Sequence, residues 1–250
     1  MAEETDAPPA ALILGVTSDI GRAAAQQFAA AGYALQLAGR RREAVQRERD
    51  DLAVRTAGPV TMHVLDVTDS AAHAAFLDSL DPLPEVAVCV VGTMGDQAEN
   101  ERDPAKAAQV IAATYTAPAQ LLGELANRFA ARGHGTIVGV SSVAGDRGRA
   151  TNYVYGSAKA GFTAFLSGLR NRFAGTGVHV ATIKPGFVRT RMTAGLKLPG
   201  PLTASPDRVG RSIHEAAAKR RDVVYVLPVW RLVMLIIRAI PEPVFKRLRL

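Results

Sequence analysis

Three side chains that could together move a proton at an alcohol or a ketone lie near one another in the middle of the chain. Ser142 supplies a hydroxyl, Tyr155 a phenol and Lys159 an ammonium group. Tyr155 and Lys159 are four residues apart, so a helix would place both on one face. The ammonium group should favour the phenolate and lower the Tyr155 pKa from its usual value of about 10. These residues indicate carbonyl reduction, with Ser142 hydrogen-bonding the substrate oxygen.

Apolar runs of strand length alternate with helical patterns along the chain. The runs cover 11–15, 33–38, 60–65, 86–91, 136–140, 178–183 and 223–227. Such an alternation predicts an α/β fold with a single doubly wound (Rossmann-type) domain and a parallel sheet of about seven strands. The pattern over 104–132 predicts one long helix disturbed at Pro118, and the segment 192–206 is expected to be a mobile substrate lid.

Length and composition favour one domain with a C-terminal extension. The 250 residues contain no evident linker, so we expect a flexible tail over 1–10, a reductase domain over 11–227 and an amphipathic basic extension over 228–250. The tail does not resemble a signal peptide. The single cysteine, Cys89, excludes a disulfide framework and favours a reducing, cytoplasmic location. We find no zinc-ligand spacing or nucleic-acid motif, and therefore expect no metal and no nucleic-acid partner.

The order and spacing of Ser142, Tyr155 and Lys159 resemble the active site of the short-chain dehydrogenase/reductase family. Either pattern alone is weak, since a Ser-Ser pair after a strand and a Tyr-x-x-x-Lys spacing are both common. The likeness extends over nearly the whole chain, from residue 12 to about 226. It implies a nicotinamide cofactor across the carboxyl edge of the sheet, with Tyr155 as proton donor and Lys159 holding the nicotinamide ribose.

The turn between the first strand and the first helix is a candidate pyrophosphate site. Free N–H groups and the helix dipole favour an anion there. The family has Gly-x-x-x-Gly-x-Gly at this point, and Asp19 stands where the middle glycine is expected. That carboxylate is unfavourable unless it points away or caps the helix. The candidate contacts are Gly15, Thr17, Ser18, Ile20 and Gly21.

A basic cluster follows the second strand, where the adenosine ribose of a dinucleotide lies in a doubly wound sheet. An acidic residue there would bind the ribose 2′-hydroxyl, but the chain has arginines at 40–42. A guanidinium suits a 2′-phosphate, so we expect NADP(H), with Arg40 as the first contact and Arg41 as the second. The alternative is a solvated, basic helix start.

The family likeness assigns further cofactor residues after the third and fourth strands. Asp66, followed by Val67, would accept a hydrogen bond from the adenine amino group, although it could instead cap a helix from Ser70. Gly92 keeps the last glycine of the family's Asn-Asn-Ala-Gly, whereas residues 89–91 depart from it.

Two further assignments concern the nicotinamide and the proton relay. Pro185 and Gly186 would close over the nicotinamide, whose carboxamide would accept from Thr190 and from the backbone of Val188. Thr114 is a fourth candidate catalytic residue, because the family usually has an asparagine there whose main-chain carbonyl holds a relay water.

The C-terminal run from 230 to 240 is unusually apolar for such a fold. It is too short and too charged to span a bilayer about 30 Å thick, but it suits a helix lying in a membrane interface. Trp230 and Phe245 would be its anchors, with basic residues near anionic headgroups. The alternatives are a dimer interface or a helix packed on the body. The basic residues concerned are Arg231, Arg238, Lys246, Arg247 and Arg249.

The segments 154–161 and 188–192, and the closing pattern from Ile237 onward, resemble a narrower group in the family. Its members reduce the 2-keto group of a polyprenyl-phosphate-linked pentose during cell-envelope sugar epimerisation. This likeness implies an NADPH-dependent reductase at the inner face of the membrane and a partner oxidase. Independently of the likeness, we expect a homo-oligomer. The alternatives are a soluble reductase of a small hydrophobic ketone or alcohol, and a non-catalytic NADP-binding regulator.

Overall fold

A seven-stranded parallel sheet forms the centre of the protein. The computed structural model describes residues 7–195 and 197–248, so most of the expected tail and Arg249 lie outside the described residues. The strands are β1 (Ala10–Leu14), β2 (Ala34–Gly39), β3 (Val60–Val64), β4 (Val86–Cys89), β5 (His134–Val140), β6 (Gly177–Lys184), β7 (Phe187–Val188), β8 (Thr203–Ala204) and β9 (Val223–Tyr225). The main sheet has the order β3-β2-β1-β4-β5-β6-β9, and β7 pairs with β8 separately.

Helices cover both faces of the main sheet. They are α1 (Asp19–Ala30), α2 (Arg42–Ala53), α3 (His73–Asp78), α4 (Gln97–Arg102), α5 (Pro104–Ile111), α6 (Ala117–Arg132), α7 (Tyr153–Arg172), α8 (Pro206–Ala218), α9 (Val229–Ala239) and α10 (Glu242–Phe245). One apolar layer packs α1, α2 and α8 against the sheet, and the other packs α3, α6 and α7. This arrangement confirms the predicted doubly wound α/β fold.

The strand order reverses between β1 and β4, and this reversal determines where a ligand can bind. The loops after β1 and β4 leave towards opposite faces of the sheet, so a crevice opens at their carboxyl ends. The residues singled out after these strands, and after β5 and β6, therefore come to one edge of the sheet.

The predicted long helix over 104–132 is divided. A π-helical segment, Ala112–Thr116, separates α5 from α6. Pro118, in the first turn of α6, has no N–H to donate to the carbonyl of Thr114, as a regular helix would require. The disturbance therefore lies one turn before the proline.

The C-terminal segment forms two helices that lie against the body of the protein. Trp230 and Met234 of α9 are buried with Val143 in a small apolar cluster. Phe245 of α10 is also buried, under the Arg147 guanidinium at 3.6 Å from its ring centroid. The expectation that Trp230 and Phe245 are membrane anchors is therefore wrong, because both rings face the protein. Among the described helices, none has the length and apolarity to cross a bilayer.

Candidate active site

The turn after β1 has the geometry of an anion site. Gly15 has a φ of +87°, and its carbonyl accepts from the Ser18 hydroxyl at 2.8 Å. Ser18 caps α1, because its hydroxyl oxygen accepts from the N–H of Gly21 at 3.0 Å. A Cβ at Gly21 would lie 2.3 Å from the Gly15 carbonyl oxygen, so this close turn requires glycine. Gly21 is thus a packing residue of the turn.

Asp19, the departure from the family pattern, points towards an arginine outside the turn. The backbone N–H of Arg191 donates to one Asp19 carboxylate oxygen at 2.8 Å, and its Nε donates to the other at 3.1 Å. The Arg191 guanidinium also donates to the carbonyl of Thr17. This bridge neutralises the carboxylate and ties the turn to the segment after β7. Asp19 is therefore accommodated by an ion pair, while Ser18 provides the helix cap.

A cavity of about 590 Å³, here called the nucleotide cavity, lies over the ends of β1, β2, β3 and β4. Seven of the predicted cofactor residues line it: Gly15, Thr17, Ser18, Arg40, Asp66, Val67 and Gly92. Arg40 is exposed at its rim, whereas Arg41 does not line it and begins α2 as its backbone cap.

Asp66 makes local hydrogen bonds within the nucleotide cavity. Its carboxylate accepts from the N–H and the hydroxyl of Thr68, at 2.9 and 2.7 Å. Partial burial raises its pKa, but the Thr68 bonds and the charge of Arg40 together hold the pKa below its usual value. The alternative role as a helix cap is not observed, because Asp69 occupies the cap position of the 3₁₀ turn Ser70–Ala72. The charged carboxylate keeps acceptor capacity for an amino group in the cavity.

A second cavity of about 480 Å³, here called the catalytic cavity, shares Val90 and Gly92 with the nucleotide cavity. Its predicted lining residues are Ile20, Gly92, Ser142, Tyr155, Lys159, Pro185, Gly186, Val188 and Thr190. The two cavities together make one elongated cleft along the carboxyl edge of the sheet. The turn's N–H groups at one end and the catalytic side chains at the other fit an extended dinucleotide.

Ser142, Tyr155 and Lys159 are brought together as predicted, on the loop after β5 and on α7. Lys159 is buried, and its Nζ donates to the carbonyl of Val140 at 2.8 Å. Its Nζ lies 5.8 Å from the centroid of the Tyr155 ring. A Cβ at Gly92 would come within 3.3 Å of this Nζ, so the glycine leaves room for the ammonium group.

The pKa values of the catalytic groups differ from the expectation. Burial raises the pKa of Tyr155 to about 12, and a hydrogen bond with Ser142 only partly opposes this. Burial lowers the pKa of Lys159 to about 8, with an opposing contribution from Cys89. The expected lowering of the Tyr155 pKa by Lys159 is therefore not observed, because desolvation of the phenolate dominates. Tyr155 is fully protonated at neutral pH, as a proton donor requires.

Thr114 is buried in the π-helical segment and does not line either cavity. Its hydroxyl donates to the carbonyl of Thr93 at 2.9 Å and accepts from the N–H of Thr93 at 3.0 Å. This pair of bonds fixes the loop after β4 beside Gly92. Because Pro118 cannot donate to it, the Thr114 carbonyl retains acceptor capacity for a relay water, and that role stays a prediction.

A buried ion pair fixes the loops that carry Ser142 and Pro185. Lys184, at the end of β6, donates to Asp146 at 2.5 Å, and the Tyr225 hydroxyl donates to the other carboxylate oxygen at 2.7 Å. The N–H of Val143 donates to the carbonyl of Pro185 at 3.0 Å. The ends of β5, β6 and β9 are thereby held in one arrangement.

The segment after β6 covers the catalytic cavity. Val188 and Thr190 line it, and the Thr193 hydroxyl donates to the Val188 carbonyl at 2.6 Å. The backbone N–H of Thr190 donates to the Thr193 oxygen at 3.1 Å. The predicted mobile lid over 192–206 contains two 3₁₀ turns and β8 in its described residues. β8 anchors it by pairing with β7.

The C-terminal extension forms a wall of the catalytic cavity, which the sequence did not reveal. Trp230 lines the cavity, and its indole N–H donates to the carbonyl of Leu202 at 3.0 Å. A Cβ at Gly186 would lie 2.0 Å from the indole, so the ring lies directly on that glycine. Arg147 donates to the carbonyls of Ile237 and Ile240, both at 2.6 Å, and so holds the end of α9 beside the catalytic loop.

Other residues of the catalytic cavity were also not singled out from the sequence. Among them are Met94, Asp96, Gln97, Arg149 and Asn152. Arg149 and Asn152 lie between Ser142 and Tyr155 in the sequence, so their polar side chains in that interval were the available signal. Within the described ranges, no group of His, Cys, Asp and Glu is arranged to hold a metal ion.

Comparison with known proteins agrees with this geometry. The family model for short chain dehydrogenases matches residues 9–198. An uncharacterized oxidoreductase of Mycobacterium tuberculosis is 38% identical over 252 residues, covering 98% of this chain and 99% of the relative. An uncharacterized oxidoreductase from Streptomyces coelicolor is 35% identical over 254 residues, covering 99% of each.

A solved structure confirms the fold independently of close sequence likeness. It is a short-chain dehydrogenase from Sphingobium yanoikuyae in complex with NADPH, with a TM-score of 0.80 and 23% identity, covering 94% of this chain and 97% of that chain. The family match gives the cleft its cofactor class, a nicotinamide dinucleotide. The protein is thus an NAD(P)-dependent oxidoreductase, and it belongs to the short-chain dehydrogenase/reductase family.

Proposed function

We propose that the protein is an NADPH-dependent reductase of a ketone carried by a membrane lipid. The observation that carries this proposal is the position of α9. One side of this helix supplies Trp230 to the catalytic cavity, and the other side exposes apolar side chains to solvent. The helix therefore lies between the catalytic cavity and the surroundings of its exposed apolar face.

The preference for NADPH is supported by charge at the nucleotide cavity. Arg40 lies at the rim, close enough to Asp66 to lower its pKa. A guanidinium at this place offers paired N–H donors to a 2′-phosphate. No carboxylate stands at the end of β2 to favour a free 2′-hydroxyl.

The chemistry follows from the protonation states of the catalytic cavity. When bound, the reduced nicotinamide would supply a hydride, that is a proton with two electrons, to the keto carbon. Tyr155 donates its proton to the oxygen, and Ser142 hydrogen-bonds the same oxygen as negative charge develops there. The product is an alcohol, and the Tyr155 proton is replaced from solvent. Because its pKa is raised to about 12, Tyr155 keeps its proton at neutral pH and is present in the acid form that reduction requires.

The outer face of α9 supports a lipid surface as its occupant. Leu232, Leu235 and Ile236 are 58%, 67% and 57% exposed and lie on one side of the helix. Arg231 and Arg238 are exposed on the same helix, and Lys246 and Arg247 follow it. An apolar stripe with flanking cations matches an interface with anionic headgroups. These residues replace Trp230 and Phe245 as the proposed contacts.

We propose a polyprenyl-phosphate-linked 2-keto-pentose as the specific substrate, as for decaprenylphosphoryl-2-keto-ribose reductase. The support is the sequence pattern over 154–161, 188–192 and from Ile237, together with the described position of α9. A substrate whose lipid stays in the membrane would reach a cavity whose wall itself lies at that surface. The proposal places the protein at the inner membrane face in cell-envelope biosynthesis, downstream of an oxidase.

The test is NADPH oxidation by the purified protein in detergent micelles. A polyprenyl-phosphate 2-keto-pentose is offered in parallel with water-soluble ketones and with NADH as the alternative cofactor. Turnover of the lipid-linked ketone alone supports the proposal. Turnover of soluble ketones alone would leave a general reductase and contradict the lipid substrate.

A vesicle experiment tests the surface separately. Leu235→Glu with Ile236→Glu should abolish sedimentation with anionic vesicles, because both substitutions place charge on the apolar stripe. Val54→Glu is the matched control, since Val54 is 84% exposed near the end of α2. Equal sedimentation of all three proteins, or binding that is unchanged on zwitterionic vesicles, would contradict the proposed contact.

A further inference from the structure

Arg149 is a charged wall residue of the catalytic cavity with no task in the reaction described above. It lies between the 3₁₀ turn Val143–Gly145 and α7, and it lines the cavity together with Tyr155. Its Nε is buried and has no hydrogen-bond partner in the part of the chain that the structure describes. Within the described ranges, its Nη2 has one hydrogen-bond contact, with the Met234 sulfur at 3.8 Å, and sulfur is a weak acceptor.

Carboxylates near Arg149 do not satisfy it. Among the described residues, no carboxylate forms an ion pair with this guanidinium, because none has an oxygen within 4.0 Å of it. Asp146 acts on it only at longer range, because its own oxygens bind Lys184 and Tyr225. Asp96 also lines the cavity, but it is exposed and caps α4 by accepting from the N–H of Glu99 at 2.9 Å.

A partly buried guanidinium without an anion is costly. Burial lowers the pKa of Arg149, which reflects the loss of hydration around its charge. The side chain remains charged at any working pH, so an incoming anion would restore the lost interaction.

We infer that Arg149 binds an oxyanion of the phosphate type that the ketone substrate carries. The guanidinium has paired N–H donors suited to two oxygens of one phosphate group. Because the residue also contacts Met234 of α9, the bound oxyanion would lie between the reacting carbon and the helix at the proposed lipid surface. This inference rests on the proposed ketone reduction in the catalytic cavity and names the substrate group that gives specificity.

The test measures binding as well as activity. Isothermal titration of the NADP-loaded protein uses farnesyl phosphate and farnesol in micelles, and phenyl phosphate in water as a probe without a lipid. We expect Arg149→Gln to weaken the binding of both phosphates by roughly 10–100-fold, the range of a lost charge-assisted hydrogen bond. The affinity for farnesol should not change. Arg149→Lys, which keeps the charge, should recover part of the affinity.

Arg211→Gln is the matched control, because Arg211 is exposed on α8 and lines none of the cavities described above. It should bind all probes like the parent protein. With the lipid-linked ketone, Arg149→Gln should raise KM and leave kcat within about threefold, as expected for lost ground-state binding.

Several results would overturn the inference. An equal loss of affinity for farnesol and for farnesyl phosphate would mean that Arg149 only supports the wall of the catalytic cavity. Unchanged phosphate binding by Arg149→Gln, or no binding of either phosphate to the parent protein, would also contradict it. Because phenyl phosphate has no lipid and needs no turnover, its binding separates this inference from failure of the proposed lipid substrate.

Discussion

The two halves of the cleft are built in different ways. The nucleotide cavity is lined mainly by the loops that directly follow β1, β2, β3 and β4, and Gln109, Ala112 and Ala113 complete it. The catalytic cavity gathers side chains from segments far apart in the chain, including the loop before α4, the loop after β5, the lid and α9. The first half can therefore be recognised from local motifs, whereas the second depends on long-range packing.

The halves also differ in how they treat charge. Arg40 at the rim of the nucleotide cavity is exposed to water, while Lys159 in the catalytic cavity is buried and has a lowered pKa. Burial also disfavours the charged form of Tyr155, and this raises the pKa of the phenol. The reaction end of the cleft is thus the desolvated end, and changes there should have the larger effects.

Removing the proton donor should have the largest effect. Tyr155→Phe deletes only the hydroxyl, so we expect turnover to fall by roughly 10²–10⁴-fold, the usual contribution of a general acid. The affinity for NADPH should stay within about threefold, because the nucleotide cavity is untouched. Steady-state NADPH oxidation and fluorescence titration measure the two quantities. Retained turnover would remove Tyr155 from its assigned role.

Removing the Trp230 ring tests whether α9 belongs to the catalytic half. Trp230→Ala leaves a cavity against Gly186 and an unpaired carbonyl at Leu202. We expect a loss of about 3–5 kcal/mol in the free energy of unfolding and a higher KM for the ketone. Urea denaturation and kinetics provide the measurements. Leu235→Ala, on the exposed side of α9, is the control and should cost less than about 0.5 kcal/mol.

The nucleotide half is tested by removing one guanidinium. Arg40→Ala should weaken NADPH binding by roughly 10–100-fold and leave NADH binding unchanged, because only NADPH carries the 2′-phosphate. Arg41→Ala is the matched control, since Arg41 does not line the nucleotide cavity. The dissociation constants of both cofactors give the result. Parallel losses for NADH and NADPH would contradict recognition of the 2′-phosphate.

The lowered Lys159 pKa predicts a pH-dependent difference in stability. Between about pH 8 and 10 the folded chain has released this proton, whereas the unfolded chain, with a pKa of 10.5, still binds it. The free energy of unfolding should therefore rise with pH in this window, by roughly 1–3 kcal/mol relative to Lys159→Met. Above pH 10 the raised Tyr155 pKa opposes the rise, because the folded chain then retains its phenol proton. Urea denaturation of both proteins at pH 7 to 10 measures the difference, and parallel curves would contradict it.

The sequence predicts the nucleotide half well because each element there is local. Strand, turn and helix follow one another within a short stretch, so Gly15, Ser18 and Gly21 could be placed from that order and from the family's glycine pattern. Their positions, and the order of the sheet, follow from rules that act on neighbouring residues. The predicted strands overlap those in the structure, although β5 begins earlier, at His134.

The catalytic half was only partly predictable. Ser142, Tyr155 and Lys159 were found from their spacing, but the direction of the Tyr155 pKa shift was wrong because burial cannot be read from spacing. The sequence predicts Trp230 as a membrane anchor because its ring is amphipathic, whereas tertiary packing places the ring on Gly186. The pairing of Asp19 with a residue far along the chain likewise depends on the folded topology.

The contact between Gly186 and Trp230 also bears on how the chain can change by mutation. Any side chain at position 186 would meet the indole, whose nearest atoms lie 2.0 Å from a Cβ placed there. A substitution at 186 is therefore tolerated only after the ring at 230 has become smaller. Among relatives that share this C-terminal helix, we expect positions 186 and 230 to vary as a pair. The two residues together would then show which relatives keep this wall of the catalytic cavity.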